Sequence, residues 1–123
     1  MQNQNSKPKT ELKHRAYQYS IKMIEFIDTL PKDISTDVIA KQLLRSSTSI
    51  GANIVEAKGA SSKRDFTNFF SHSLKSANES LYWLGLLRDA KKIKNPRLEH
   101  LLSETKELAN ILDSSILTLK GKR

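Results

Sequence analysis

The sequence predicts an all-α protein that folds as an antiparallel, up-down-up-down four-helix bundle. Apolar residues recur every three or four positions along four long segments, which is the period of an amphipathic helix. The three Pro and four Gly lie mostly between these segments, where they end helices. No segment alternates with a period of two, and no Asn-Gly or Asp-Gly hairpin turn occurs. Because short links make sequential long helices antiparallel, the pattern predicts a bundle.

The composition narrows the class of protein. A chain of 123 residues with 37% hydrophobic and 28% charged residues suits one globular domain. It has no run of about 18 apolar residues, and its polar N-terminus lacks the features of a signal peptide. With no cysteine, it has neither a disulfide nor a zinc-thiolate site. We therefore expect a cytoplasmic protein that does not enter the membrane and carries no cofactor.

The chain divides into a bundle and two basic ends. We expect residues 1–10 to be a flexible basic segment, residues 11–120 to form the bundle, and residues 121–123 to be a basic tail. The first helix is predicted from about Glu11 to Leu30, with Pro31 ending it. Its inward residues are predicted to be Leu12, Ala16, Tyr19, Met23, Phe26, Ile27 and Leu30.

The second helix is predicted to follow a short connection over residues 33–37. Ser35 or Thr36 is expected to cap it, because a hydroxyl oxygen can accept from the free N–H groups of the first turn. It is predicted to continue to about Lys58 and to end before Gly59. Its inward residues are predicted to be Ile39, Leu43, Ser47, Ile50, Ile54 and Ala57.

Helices three and four carry clear start and stop residues. Ser62 is predicted to cap helix three, with Asp65 completing a variant of the capping box. Asn95-Pro96 predicts the start of helix four, and Gly121 predicts its end. The inward residues are predicted to be Phe66, Phe70, Ser73, Ala77, Leu81, Leu84 and Leu87 or Arg88 on helix three, and Leu98, Leu101, Leu102, Leu108, Ala109, Leu112, Ile116 and Leu119 on helix four.

A second, polar row runs along helix two beside the apolar one. It consists of Gln42, Ser46, Ser49, Asn53 and Glu56, and helix three offers a matching row of His72, Ser76, Glu79 and Trp83. We expect these rows to meet each other or another subunit, with Arg45 pairing with Glu56 or Glu79, because a buried polar group needs a partner. The alternative is that both rows are ordinary solvated surface.

The same stretch resembles a known family. Residues 42–56 read Gln-Leu-Leu-Arg-Ser-Ser-Thr-Ser-Ile-Gly-Ala-Asn-Ile-Val-Glu, and Lys63, Phe66, Ser76 and Glu79 follow on helix three. In these residues the chain is similar to the four-helix-bundle proteins encoded in intervening sequences of bacterial 23S ribosomal RNA genes. The resemblance implies a homopentameric ring around a central channel. A related branch, the accessory protein of diversity-generating retroelements, implies RNA or DNA and a reverse transcriptase as partners.

Most of the excess positive charge is predicted at one end of the bundle. The chain has 21 Lys and Arg against 13 Asp and Glu, a net charge of +8. In an antiparallel bundle one end collects ten of the bases, namely Lys7, Lys9, Lys13, Arg15, Lys58, Lys63, Arg64, Lys120, Lys122 and Arg123. Only Glu11, Glu56 and Asp65 oppose them there. This end is the predicted site for phosphate groups of RNA or DNA; the alternative is a set of solvated basic chain ends.

No arrangement of residues predicts catalysis or metal binding. His14, His72 and His100 fall on three different helices, and the chain has no His-Glu-x-x-His sequence. Gly59 to Lys63 resembles a phosphate-binding loop but does not follow a strand. We therefore expect a non-enzymatic homo-oligomeric scaffold with a basic end. The alternative is a protein–protein interaction module without a nucleic-acid role. Tyr82, Trp83 and Leu86 flank the inward residues of helix three, and we expect them either to form an apolar patch between subunits or to widen the core.

Overall fold

Four helices form the protein, as the sequence predicts. The computed structural model describes residues 8–121, with side chains from residue 11 onward. The helices are α1 (Pro8–Ile27), α2 (Ile34–Ala57), α3 (Lys63–Asp89) and α4 (Pro96–Leu119). Within residues 8–121 there is no strand. None of these helices is both long and apolar enough to cross a lipid bilayer.

The helices pack in a square, each against two neighbours. α1 contacts α2 and α4, and α3 contacts the same two helices. Two hydrogen bonds fix the relative direction of α2 and α3: Ser46 Oγ bonds Ser80 Oγ at 2.8 Å, and Ser73 Oγ donates to Ile50 O at 2.8 Å. Residue numbers rise along α2 as they fall along α3, so these helices are antiparallel. The short links on either side favour the same for the other neighbours.

The first helix is shifted from its predicted bounds. α1 begins at Pro8 instead of Glu11 and ends at Ile27 instead of Leu30. Proline favours the first helical position, because its missing N–H has no helical partner there anyway. After Ile27 the chain turns, with Leu30 N donating to Ile27 O at 3.1 Å, and the Leu30 side chain stays buried. The spacing of apolar residues reports which positions are buried, and in this case the buried positions continue past the end of the helix.

The predicted cap of α2 is wrong. The cap is Asp33, whose Oδ1 accepts from Thr36 N at 2.9 Å, and the helix begins at Ile34. Ser35 and Thr36 are already inside the first turn. The hydrogen bond from the Thr36 backbone, aided by Lys91, lowers the pKa of Asp33 to about 2, because these donors favour the charged carboxylate.

The Asp33 cap predicts a specific acid response. A carboxyl group whose pKa falls from 3.8 to about 2 on folding stabilises the fold above about pH 4 and loses that contribution as the pH falls toward 2. Asp33→Asn keeps a capping oxygen but does not titrate. We expect urea unfolding to show a smaller loss of stability between pH 5 and pH 2 for Asp33→Asn than for the wild type. Asp113→Asn, on the exposed side of α4, should follow the wild type, and parallel profiles for all three proteins would contradict the assignment.

The other predicted helix ends are confirmed. Ser62 Oγ accepts from Asp65 N at 3.0 Å, and Asp65 Oδ2 accepts from Ser61 N at 3.1 Å. Asn95 caps α4 through Arg97 N at 2.9 Å. Gly121 has a φ of 70°, the left-handed conformation that glycine provides after a helix.

The predicted apolar seams form the core, and a layer of hydroxyl groups crosses its centre. This polar layer consists of Tyr19, Ser46, Ser80 and Thr105, one residue from each helix and all buried. The Tyr19 hydroxyl lies 2.6 Å from Thr105 Oγ1, and Thr105 Oγ1 in turn donates to Leu101 O at 2.5 Å. Burial raises the pKa of Tyr19 to about 12, although hydrogen bonding to Thr105 and Ser80 offsets part of the effect. The layer therefore stays neutral and ties the four helices together at one level.

Candidate nucleic-acid interface

One end of the bundle brings together the start of α1, the α2–α3 link and the end of α4. The sequence predicts an excess of basic residues at this end. A cavity between the α2–α3 link and the end of α4 is lined by Lys58, Lys63, Phe66 and Leu119, and a neighbouring one brings Leu12 of α1 beside Phe66 and Leu119. We call this end the basic pole and define it by its exposed cations Lys13, Lys58, Lys63, Arg64 and Lys120. The side chains of Lys7, Lys9, Lys122 and Arg123 lie outside the described part of the chain.

Ion pairing decides which cations of the basic pole remain available to other groups. Among residues 11–121, none of the five forms a salt bridge with another described residue. At the opposite end of the bundle Lys91 and Arg88 are paired, while Lys32, Lys92, Lys94 and Arg97 have no salt bridge with a described residue. There Lys91 Nζ lies 3.2 Å from Asp33 Oδ1, and Arg88 Nε lies 2.7 Å from Asp89 Oδ1. The basic pole therefore presents five exposed cations, while the opposite end balances part of its positive charge through two ion pairs.

Arg15, which the sequence analysis assigns to the basic end, takes part in ion pairs between α1 and α4. Its guanidinium donates to both carboxylate oxygens of Glu104, at 2.7 and 2.9 Å, and also contacts Glu107. These bonds lower the pKa of Glu104 and raise the pKa of Arg15. Such a bidentate pair satisfies much of the guanidinium, so Arg15 links α1 to α4, and its contact with a phosphate stays a prediction.

The polar row of α2 meets α3 through the Ser46–Ser80 hydrogen bond, and an ion pair lies beside it. Arg45 contacts the Glu79 carboxylate and also donates to Gln42 Oε1 at 3.1 Å. Trp83 Nε1 donates to the same carboxylate at 2.9 Å, and its ring packs edge-on against Tyr82. The Arg45–Glu79 pair is one of the two that the sequence predicts.

The other members of that row, Ser49, Asn53 and Glu56, have no side-chain hydrogen bond or ion pair to a described residue of α3. Asn53 Nδ2 donates within α2, to Ser49 O at 2.9 Å and Ser49 Oγ at 3.1 Å. Glu56 is exposed and has no ion pair with a described residue, and Ser76 contributes its backbone carbonyl to Ser80. For these residues, contact with another subunit, the alternative that the sequence also offers, stays a prediction. Sequence reasoning missed Ser80, although it lies four residues after Ser76 and seven after the inward Ser73.

Another feature that the sequence analysis missed is an apolar face shared by α1 and α2. It carries five of the eight exposed large hydrophobic side chains of the described residues, namely Tyr17, Ile21, Ile24, Leu44 and Val55. Between the two helices runs a groove of about 530 Å³. A Cβ added to Gly51 would lie 3.4 Å from the Cβ of Ala16, so the helices come close at its floor.

The described residues form no evident metal site. No group of three or more His, Cys, Asp or Glu side chains comes together there in a way that could hold a metal ion. His14, His72 and His100 are exposed and lie on α1, α3 and α4.

Fold and charge together define an all-α four-helix-bundle protein with one basic pole. The chain belongs to the 23S rRNA-intervening sequence protein family, whose family model matches residues 9–114. It is also similar to a crystal structure from Bacteroides thetaiotaomicron, described as a protein with unknown function from the S23 ribosomal protein family. The sequences are 35% identical, the TM-score is 0.78, and the match covers 85% of this chain and 97% of that one. No curated protein sequence matches this chain.

Proposed function

We propose that this protein is a non-enzymatic homo-oligomeric scaffold whose basic pole binds RNA or DNA. The observation that carries the proposal is the group of five exposed cations at the basic pole, none of which forms an ion pair with another residue of the described part of the chain. When unpaired Lys and Arg side chains neutralise phosphates, the counterions condensed on the nucleic acid are released. This release drives binding that does not depend on the base sequence.

The apolar face supports self-association. At its end away from the basic pole it exposes only aliphatic large side chains, Ile21, Ile24 and Leu44, and a contiguous exposed apolar patch commonly marks a protein contact. The family resemblance favours five copies in a ring. In a ring of protomers that point the same way, the basic poles would form a continuous basic rim.

The alternative function is a protein–protein interaction module, and the same face favours it. An apolar patch accepts a different polypeptide as readily as another copy, and a reverse transcriptase is the partner that the resemblance suggests. In this case the basic pole has no nucleic-acid role.

Salt dependence separates these functions. We expect a fluorescently labelled RNA or DNA to bind with an affinity that falls linearly on a log–log plot against salt, with a slope of about −0.7 to −0.9 for each phosphate neutralised. Light scattering on the same sample should give the mass of five 14.0 kDa chains. A flat salt response would remove the nucleic-acid role and leave the interaction module, and a monomeric mass would remove the scaffold.

A further inference from the structure

We infer that the groove between α1 and α2 takes an unpaired base of single-stranded RNA or DNA at its end nearest the basic pole. This inference rests on the proposed function and specifies which form of nucleic acid the protein prefers. The groove is open, and its volume of about 530 Å³ lies within the ~300–1,000 Å³ range of small-ligand sites.

Small residues line the groove, and one exposed aromatic side chain stands at its edge. Its floor is made by the small residues Gly51 and Ala52, with Ser20 and Thr48 beside them. Tyr17 stands at the edge with 65% of its surface exposed, so its ring is free to stack. Every nucleobase has a π-face, which is why an exposed aromatic ring beside a cleft binds single strands with little preference for sequence.

The charge around the groove matches a phosphate backbone. Its lining contains Lys13 and His14 and no carboxylate. Lys58 follows Val55 by three residues, about one turn of α2 toward the basic pole. If one base of a strand lies beside Tyr17, the next phosphates toward the basic pole therefore lie close to these cations.

The other end of the apolar face does not suit a nucleic acid. Glu25 and Asp28 are exposed near the end of α1 and offset the nearby exposed Lys22 and Lys41, so this end offers no excess of cations to a phosphate backbone. A base still paired in a duplex is stacked inside the helix, and its π-face is not accessible to a side chain. The charge gradient and the exposed ring together favour a single strand that enters from the basic pole.

Strands with and without bases test this inference. The probes are a labelled 12-nucleotide oligothymidylate and an abasic strand with the same length and charge, measured by fluorescence anisotropy. We expect the wild type to prefer the strand with bases.

Tyr17→Ala should weaken that binding about 5- to 100-fold, the effect of losing one stacked base, and should leave binding of the abasic strand unaffected. Tyr17→Phe should retain most of the affinity. Tyr82→Ala is the matched control, because Tyr82 is 61% exposed and lies on α3, away from the groove.

Each result decides the question. Equal binding of the two strands by the wild type, or equal effects of Tyr17→Ala and Tyr82→Ala, would overturn the inference. The proposed function would survive either result, because it requires only charge. If Tyr17→Ala changes the number of chains per particle in light scattering, a second copy covers the groove and the inference is wrong. Absence of binding to any strand would overturn both proposals.

Discussion

We expect Tyr19→Ala to lower the free energy of unfolding by about 3–5 kcal/mol, the usual cost of removing a large buried aromatic side chain. The Tyr19 side chain is 1% exposed and is among the largest fully buried groups. Its loss leaves a cavity where α1 meets α4 and also deprives Thr105 of a hydrogen-bond partner. Urea unfolding followed by circular dichroism measures the change, with the wild-type m-value as the check on two-state behaviour.

The contribution of the Tyr19 hydroxyl to this change in the free energy of unfolding can be measured separately. Tyr19→Phe leaves Thr105 Oγ1 its bond to Leu101 O, so it should cost about 0.5–1.5 kcal/mol, whereas Thr105→Val takes the Thr105 partner from the buried Tyr19 hydroxyl and should cost about 1–3 kcal/mol. The double variant replaces both hydroxyl groups by apolar ones of similar shape, and we expect it to cost less than the sum of the two single changes. Additive single effects would show that the 2.6 Å contact does not couple the two helices.

Tyr82→Ala supplies the reference for a tyrosine outside the core. Tyr82 is 61% exposed, and a surface substitution of this kind usually changes stability by less than about 0.5 kcal/mol. If Tyr19→Ala cost no more than Tyr82→Ala, the polar layer would not be part of a packed core.

The fold was predictable because it depends on local patterns. Each helix repeats its apolar residues often enough to show the helical period, and Ser62, Asn95 and Gly121 mark helix ends through bonds to residues only a few positions away. The capping residue of α2 was predicted wrongly for a related reason. Asp33, Ser35 and Thr36 are all capping residues, and only the geometry of the turn after Ile27 selects Asp33.

The candidate site was less predictable because its contacts are long-range. Topology was sufficient to place Lys58, Lys63 and Lys120 at one end. The Arg15–Glu104 pair joins residues 89 positions apart, so it depends on the rotation of α1 against α4, which no local pattern encodes. The apolar face was missed because Tyr17 and Ile24 lie beside the inward residues of α1. In the sequence, two neighbouring rows of apolar residues on one helix cannot be told apart.

The largest expected effect on binding comes from reversing charge at the basic pole. The double variant Lys63→Glu/Arg64→Glu changes the local charge by four units at two exposed positions without ion pairs to described residues. Each unit interacts with a nearby phosphate by about 1 kcal/mol in water before screening. We therefore expect binding of RNA or DNA to weaken about 10- to 100-fold at 0.1 M salt. If both cations contact phosphates, the magnitude of the salt slope should also fall by about two.

The fold should tolerate these changes, because both positions lie in the first turn of α3 and acidic residues are favourable near a helix N-terminus. The matched control is Lys92→Glu/Lys94→Glu, which makes the same change in net charge at exposed positions of the opposite end. Lys91 is unsuitable for this purpose because it pairs with Asp33. A long-range effect of net charge would weaken binding equally in both variants, whereas a local phosphate contact weakens it mainly in the first. Equal losses, with both proteins folded, would mean that the basic pole is not where nucleic acid binds.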